Sequence, residues 1–347
     1  MATYSTIWCE EKPGFPEDFV VFPRRRIGAL GVFGKIRNIK PGDAILLNGA
    51  MGVNELWIDM LFGVYMSFFK RDVVVLISDA TWHPRTVAQE SRVGPLHSLY
   101  AFFLKSLFRL TRGPNVHYCF LSTTEADLVA IEANVPRSQI HFTPFCTQLP
   151  LDILAELREI AGTAARRESG RELKVFSGGN SLRDYETLIA AAKDSEANFL
   201  IASSNRHQFD PRNITFGYFS HHDFFREMAR SDVVVVPLLD VPGRSVGQQT
   251  YLNALALGKP LIVTDVIGVR DHLVAGRHAL LVPPGDVDAM RRALDWMADP
   301  HNREARAEMV EQGLKLAADM TFAHYAARLA KLLLTIQCGT TQALAKA

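Results

Sequence analysis

The run FSGGNSLRDYETL, residues 176–188, ends a short apolar segment with Gly178 and Gly179 and sets Arg183 four residues after the second glycine, at the head of an amphipathic stretch. Glycines let backbone N–H groups approach an anion, and a helix N-terminus adds partial positive charge. Arg183 adds a full one. The spacing fits neither a Walker loop nor G-x-G-x-x-G, so the same residues also read as a structural strand-to-helix turn. A second run, DVVVVPLLDVPGRSVGQQTYLNALALGKPLIVTD, residues 232–265, reads as strand, loop, helix and strand. Its helix is predicted to start near Val246 or Gly247, with Ser245 as N-cap. Gln248, Gln249 and Thr250 then lie where free N–H groups face a bound anion, and Asn253 lies one turn on.

Other candidates are weaker. Asp79, Trp82 and His83 follow the apolar run VVVLIS. They read either as polar groups at a cleft edge, just beyond a buried strand, or as loop residues, with Asp79 as a cap. The turn NGAMGVNE, residues 48–55, ends another strand in the same way. The DVD of residues 286–288 has the form of a metal motif, but it follows PPG and opens a helix. Asp286 as N-cap and Asp288 as a first-turn complement to the helix dipole explain it better. No metal and no cofactor are expected.

These residues need elements to position them. In the second half, LKVFSGG, ANFLIASS, NITFGYF, DVVVVP, KPLIVT and ALLVPP read as strands. RDYETLIAAA, HHDFFREMARS, SVGQQTYLNALAL, a short segment from Val269, and DVDAMRRALDWMA read as helices. The four-valine strand is apolar throughout, as a parallel strand buried on both faces should be. Such alternation implies βαβ units and a parallel sheet. In the first half, TYSTIWC, DFVVFP, AILLNG, DVVVLISDA and VHYCFLST read as strands, with helices over 54–69, 95–111 and 124–133. The chain of 347 residues thus suggests two α/β domains, residues 1–170 and 171–320. The polar, alanine-rich LAELREIAGTAARRESGREL reads as their connection. A last helix, about 322–336, is expected to pack back on the first domain before a frayed tail. A ligand would sit at the carboxyl edges of the sheets, in the cleft between the domains.

The net charge of +1 excludes a global field of the kind that nucleic-acid binding uses. The four cysteines, Cys9, Cys119, Cys146 and Cys338, form no C-x-x-C pair, which argues against a zinc knuckle or a disulfide framework and for reduced thiols. The N-terminus has no signal-peptide pattern, and no apolar run approaches the ~20 residues of a membrane span. A cytoplasmic protein is expected. GPLHSLYAFFLKSLFRLTRG, residues 94–113, places Lys105, Arg109 and Arg112 on one helical face beside Leu99, Phe102, Phe103, Leu107 and Leu110. With the arginines of 24–26, Lys35, Arg37 and Lys40, this face reads either as a solvated stripe on a core helix or as a rest for anionic lipid at the inner face of the plasma membrane.

The run YLNALALGKPLIVTDVIGVRDHLVAGRHALLVPPGDVDAMRRAL resembles the C-terminal domain of the GT-B glycosyltransferases of the large retaining family four. The resemblance is strong over 174–298, weaker over 115–148 and faint before that. It implies two Rossmann-like parallel-sheet domains facing a cleft, the second holding a nucleotide-sugar donor and the first a glycan or lipid-linked acceptor. Gly178, Gly179 and Arg183 match the diphosphate loop, with Arg183 in place of the usual Lys. Gly247, Gln248, Gln249 and Thr250 match the turn whose N–H groups face sugar and phosphate. Of two glutamates separated by seven residues in the family pattern, the one that approaches the donor sugar matches Ser245, and the one that accepts from the ribose hydroxyls matches Asn253. Both carboxylates are thus replaced. Arg183, Ser245 and Asp79 are the candidate catalytic residues. The implied activity is metal-independent, hexosyltransferase-type sugar transfer with retention, of use in polysaccharide biosynthesis. A GT-B sugar-nucleotide epimerase and a non-catalytic nucleotide-sugar-binding subunit remain the alternatives.

Overall fold

The computed structural model describes residues 2–6, 19–22, 24–48, 57–79, 97–165, 172–193, 195–204 and 212–344. It divides into two compact units. The first is Met1–Pro144, Pro242–Ser245 and Phe322–Ala347; the second is Phe145–Val241 and Val246–Thr321.

The first unit is built on a six-stranded sheet: β1 (Thr3–Ser5), β2 (Phe19–Val21), β3 (Ala44–Asn48), β4 (Val74–Ser78), β5 (Val116–Phe120) and β6 (Ile140–Phe142), in the order β2-β1-β3-β4-β5-β6. Every pair is parallel, with Leu46 beside Leu76 and Ile77 beside Tyr118 in register. Its helices are α1 (Arg24–Ile36), α2 (Trp57–Phe69), α3 (His97–Leu110) and α4 (Thr123–Glu132). The β3 and β4 runs AILLN and VVLIS are buried almost end to end, as strands covered on both faces must be. Ile45, Leu47, Val75, Ile77, Tyr118 and Phe120 form the centre of the core.

The second unit has β7 (Lys174–Gly178), β8 (Asn198–Ala202), β9 (Ile214–Gly217), β10 (Val233–Val236), β11 (Leu261–Thr264) and β12 (Leu280–Val282), in the order β12-β11-β10-β7-β8-β9, again all parallel. The helices are α5 (Leu154–Ala165), α6 (Tyr185–Ala192), α7 (His221–Arg230), α8 (Gln248–Ala256), α9 (Val287–Ala298) and α10 (Arg303–Asp319). Separate cores lie on the two faces of this sheet. The last helix, α11 (Phe322–Leu344), lies against β3 and β4 of the first unit.

Several expectations change. The units divide at 144/145, not near Arg171. Leu154–Ala165 of the segment read as a connection form α5, which buries Leu157, Ala161 and Ala164 and packs on α7; the bidentate Arg226–Glu156 pair fastens the two helices. Alanine-rich polarity marked a helix with a narrow buried stripe, not a linker. α1 is interrupted at Gly28, whose φ of 66° breaks the periodicity that would have announced it. α10 was not foreseen, and residues 266–273 form turns rather than a helix. The tail stays helical to Leu344. Asp286 caps α9, its carboxylate accepting from the Ala289 N–H at 2.8 Å, so the DVD residues are engaged as helix-start groups.

Candidate functional site

The site is built at the carboxyl edge of the second sheet. β7 ends at Gly178, where an added Cβ would meet the Phe224 ring at 2.4 Å; at Gly179, with φ of +117°, a Cβ would meet the Arg183 guanidinium at 2.6 Å. Only glycine lets the chain turn here with an arginine folded across it. Arg183 donates from Nε to the Gly178 carbonyl at 3.2 Å, from Nη1 to the Ser181 carbonyl at 2.6 Å, and from Nη2 to Thr250 Oγ1 at 2.9 Å. Tyr185 donates its hydroxyl to the Gly179 carbonyl at 2.6 Å. Asn180 turns the other way, its side-chain oxygen accepting from Ser203 and the Ser204 N–H.

The helix after this loop begins later than expected. Asp184 is the N-cap of α6, accepting from Thr187 N. Arg183 is in the extended connection before it, because Leu182 takes φ of 50° and residue 183 bridges Leu238. The bonds Asp184 N to Pro237 O and Leu239 N to Leu182 O, both 3.1 Å, pin the loop to the end of β10.

α8 also starts later, at Gln248. Gly247, not Ser245, is its N-cap, with φ of 85° and no side-chain bond to the helix. The N–H groups of its first turn therefore have no side-chain cap from that residue. Gln248, Thr250 and Asn253 are buried, and Gln249 is exposed and donates to Gln148 Oε1 at 3.2 Å. Asn253, 1% exposed, accepts the Gln148 N–H on Oδ1 at 2.7 Å. That donor fixes which end of the amide faces it, so Nδ2 is the end left over. Asn253 Nδ2 and Gln248 Nε2 are both buried and have no bonded partner among the described residues.

The electrostatics of the loop favour an anion. Burial lowers the pKa of Arg183, with the neighbouring Tyr185 opposing the shift, while burial pushes the Tyr185 phenol up to about 12. The partners of the guanidinium are two carbonyls and a hydroxyl. Among the described residues no carboxylate pairs with it, and its charge is left uncompensated beside the free end of a helix.

Ser245 and Asp79 are differently placed. Ser245 donates from both its backbone N and its Oγ to the two oxygens of Glu125, each at 2.7 Å. Glu125, 1% exposed, is in the first turn of α4. This buried carboxylate was missed by sequence reasoning; its signal was S-x-x-E at 122–125, which marks a helix start. Arg244, next to Ser245, was also missed: burial lowers its pKa to about 10. Asp79 has φ of 53° and accepts from the Tyr325 hydroxyl of α11. Gly178, Gly179, Arg183 and Thr250 are therefore joined in one cluster, with Gln248, Gln249 and Asn253 on the same helix as Thr250. Ser245 and Asp79 are engaged by other side chains of the first unit. Trp82, His83 and residues 49–55 lie outside the described residues.

This arrangement, two parallel-sheet units with a glycine loop and a helix N-terminus at the edge of the second, is the GT-B fold of glycosyltransferases. The chain is similar in structure to sucrose-phosphate synthase from Thermosynechococcus elongatus (TM-score 0.62, 16% identity, 94% of this chain and 82% of that one). It is also similar to the catalytic domain of starch synthase IV from Arabidopsis thaliana bound to ADP and acarbose (0.58, 12%, 89% and 76%), and to Anabaena HepE in complex with UDP (0.56, 15%, 95% and 86%). Within that fold, residues 181–299 match the family described as Glycosyl transferases group 1. A glycogen synthase of Mycobacterium tuberculosis is 26% identical over 157 residues, 45% of this chain; the matched segment spans 36% of that relative.

Proposed function

We propose that the protein is a glycosyltransferase that moves a sugar from a nucleotide-diphosphate donor to a glycan or lipid-linked acceptor, with retention. One observation carries the reading: Arg183, without a carboxylate partner among the described residues, spans the Gly178–Gly179 turn and reaches the first turn of α8. A diphosphate bound there would take charge-assisted bonds from the guanidinium and the free N–H groups. In the reaction the bond from the anomeric carbon to the diphosphate oxygen breaks with its electron pair, and negative charge grows on the leaving phosphate. Arg183 and the fixed N–H dipoles stabilise that charge, the kind of contribution that is often largest. The acceptor hydroxyl attacks from the same face and gives its proton to the leaving phosphate oxygen. No metal is needed in this scheme. The test is transfer and hydrolysis of a panel of nucleotide sugars by the purified chain, with and without chelator. Turnover that survives chelation is expected; turnover abolished by chelation would contradict the scheme.

A second reading, a nucleotide-sugar-binding subunit without turnover, is favoured by one feature. The positions matching the two family glutamates are neutral and already engaged, Ser245 by Glu125 and Asn253 by Gln148. Binding without turnover in the same panel would select it.

The proposed site of action is cytoplasmic, at the inner face of the plasma membrane. Among the described residues no helix is long and apolar enough to cross a membrane. Leu99, Phe102, Phe103 and Leu110 of α3 are exposed, as are Phe68 and Phe69 on neighbouring α2, beside exposed Lys105 and Arg109. Apolar and basic side chains together suit an anionic bilayer surface better than water. Replacing Phe102 and Phe103 by Ser should cut co-sedimentation with anionic vesicles several-fold; unchanged co-sedimentation would leave this face as an ordinary surface.

A further inference from the structure

At the opposite edge of the first sheet, an open groove of about 970 Å³ is lined by Arg109, Arg112, His117, Ser138, Gln139 and Ile336, among others. His117 is the second residue of β5, and Ser138 and Gln139 immediately precede β6. The groove thus lies at the amino ends of these parallel strands, whereas the ends at Asn48, Ser78 and Phe120 form the carboxyl edge. Its volume is that of a small-molecule site.

Its charge is one-sided. None of the described residues that line it is acidic. Among the described residues Arg112 is held in place by carbonyls alone: Nη1 donates to Ala133 O at 2.7 Å and Asn134 O at 3.3 Å, and Nε to Arg109 O at 3.4 Å. The first two are carbonyls at the end of α4. This fixes the plane of the guanidinium and leaves Nη2 unspent. Arg109, in the last turn of α3, is exposed, and its guanidinium has no bonded partner among the described residues. Arg137 nearby is different, because it is already paired with Asp127. Gln139 spends Nε2 on Gly113 O and Val116 O, which makes the floor rigid. The His117 ring meets His141 at 3.1 Å, and burial first, then His141, lowers its pKa to about 4, against a bond to Ser138 that raises it. It is a neutral wall at physiological pH. Two arginines on a rigid floor with no acidic side chain lining it match a tetrahedral oxyanion, which can accept from the Arg109 guanidinium and from Arg112 Nη2 at once.

We propose that this groove binds a phosphate group, carried either by a soluble phosphomonoester or by a lipid headgroup. It is a site apart from the donor loop and does not depend on the activity proposed above. The experiment uses the full chain with Arg183→Ala, so that the donor loop does not contribute. Calorimetry with inorganic phosphate and with glycerol 3-phosphate probes the soluble source. Flotation with vesicles of phosphatidylcholine, with and without phosphatidylglycerol, probes the headgroup. Arg109→Glu removes a side chain without bonded partners among the described residues and should keep the fold. Ser138→Trp fills the groove without changing its charge. Both should weaken whichever probe binds by about tenfold or more. Loss in calorimetry assigns a soluble ligand; loss confined to phosphatidylglycerol vesicles assigns the headgroup when Ser138→Trp shows it too, since Arg109 also stands on the basic face of α3. The proposal is overturned if no probe binds, if Arg109→Glu binds as well as its parent, or if Ser138→Trp leaves binding intact.

Discussion

Arg183→Ala should lower affinity for a nucleoside diphosphate by about 1.5–3 kcal/mol, the scale of hydrogen bonds to charged groups, or roughly tenfold to more than a hundredfold. The guanidinium is already aimed. Three neutral acceptors hold it across the glycine turn, so little ordering is left to offset its interaction with the ligand. The fold should tolerate the change, since Leu182 and Asp184 keep their backbone bonds to β10 whatever side chain stands at 183. Arg183→Lys should lose less, because charge remains while the planar fork goes. Calorimetry on the folded variants checks this. Equal affinity in Arg183→Ala and the unchanged protein would mean that the diphosphate binds elsewhere.

Asn253→Ala should act first on stability. The Gln148 N–H loses its acceptor in a part-buried setting, and a stranded donor of this kind costs about 1–3 kcal/mol. The loss has structural reach, because residues 145–148 open the second unit and are pinned at three points. Phe145 N donates to His272 Nε2 at 3.1 Å, Thr147 N to Met320 O at 2.7 Å, and Gln148 N to Asn253. Urea denaturation should therefore show a lower midpoint. The remaining donor, Nδ2, is the atom free to meet a ribose oxygen. Asn253→Asp separates the two roles, since it keeps an acceptor for Gln148 and deletes that donor. In a folded Asp variant, donor affinity should fall by roughly 0.5–1.5 kcal/mol, and the loss should shrink for a 2′,3′-dideoxyribose donor. An Asp variant that binds both donors as the unchanged protein does would take Asn253 away from the ribose. Unaltered stability in Asn253→Ala would dismiss the tether.

The second sheet was legible because its strands are short, apolar and punctuated. DVVVVP and KPLIVT can hardly be anything but buried parallel strands, and β10 and β11 lie where they were read. The glycine loop was legible as a place, since Gly178, Gly179 and Arg183 do converge. Local geometry was not. Leu182 and Gly247 both take positive φ, and each delays a helix that periodicity alone would start earlier. The role of Asn253 was half-legible: a neutral residue where a carboxylate was expected said that something had changed, but not that Gln148, 105 positions away, uses its oxygen. Glu125 shows the same limit. A helix-start glutamate looks local in sequence, yet its carboxylate is bonded 120 positions away, at Ser245. Long-range pairing of single polar groups leaves no periodic trace.

The most direct test of the central claim is a crystal structure of the chain with a bound nucleoside diphosphate. The account predicts the diphosphate against Gly179 and the first turn of α8, with Arg183 nitrogens about 2.7–2.9 Å from its oxygens, the range of charge-assisted bonds. A diphosphate bound away from that loop, with Arg183 still folded onto Gly178, Ser181 and Thr250 alone, would contradict it.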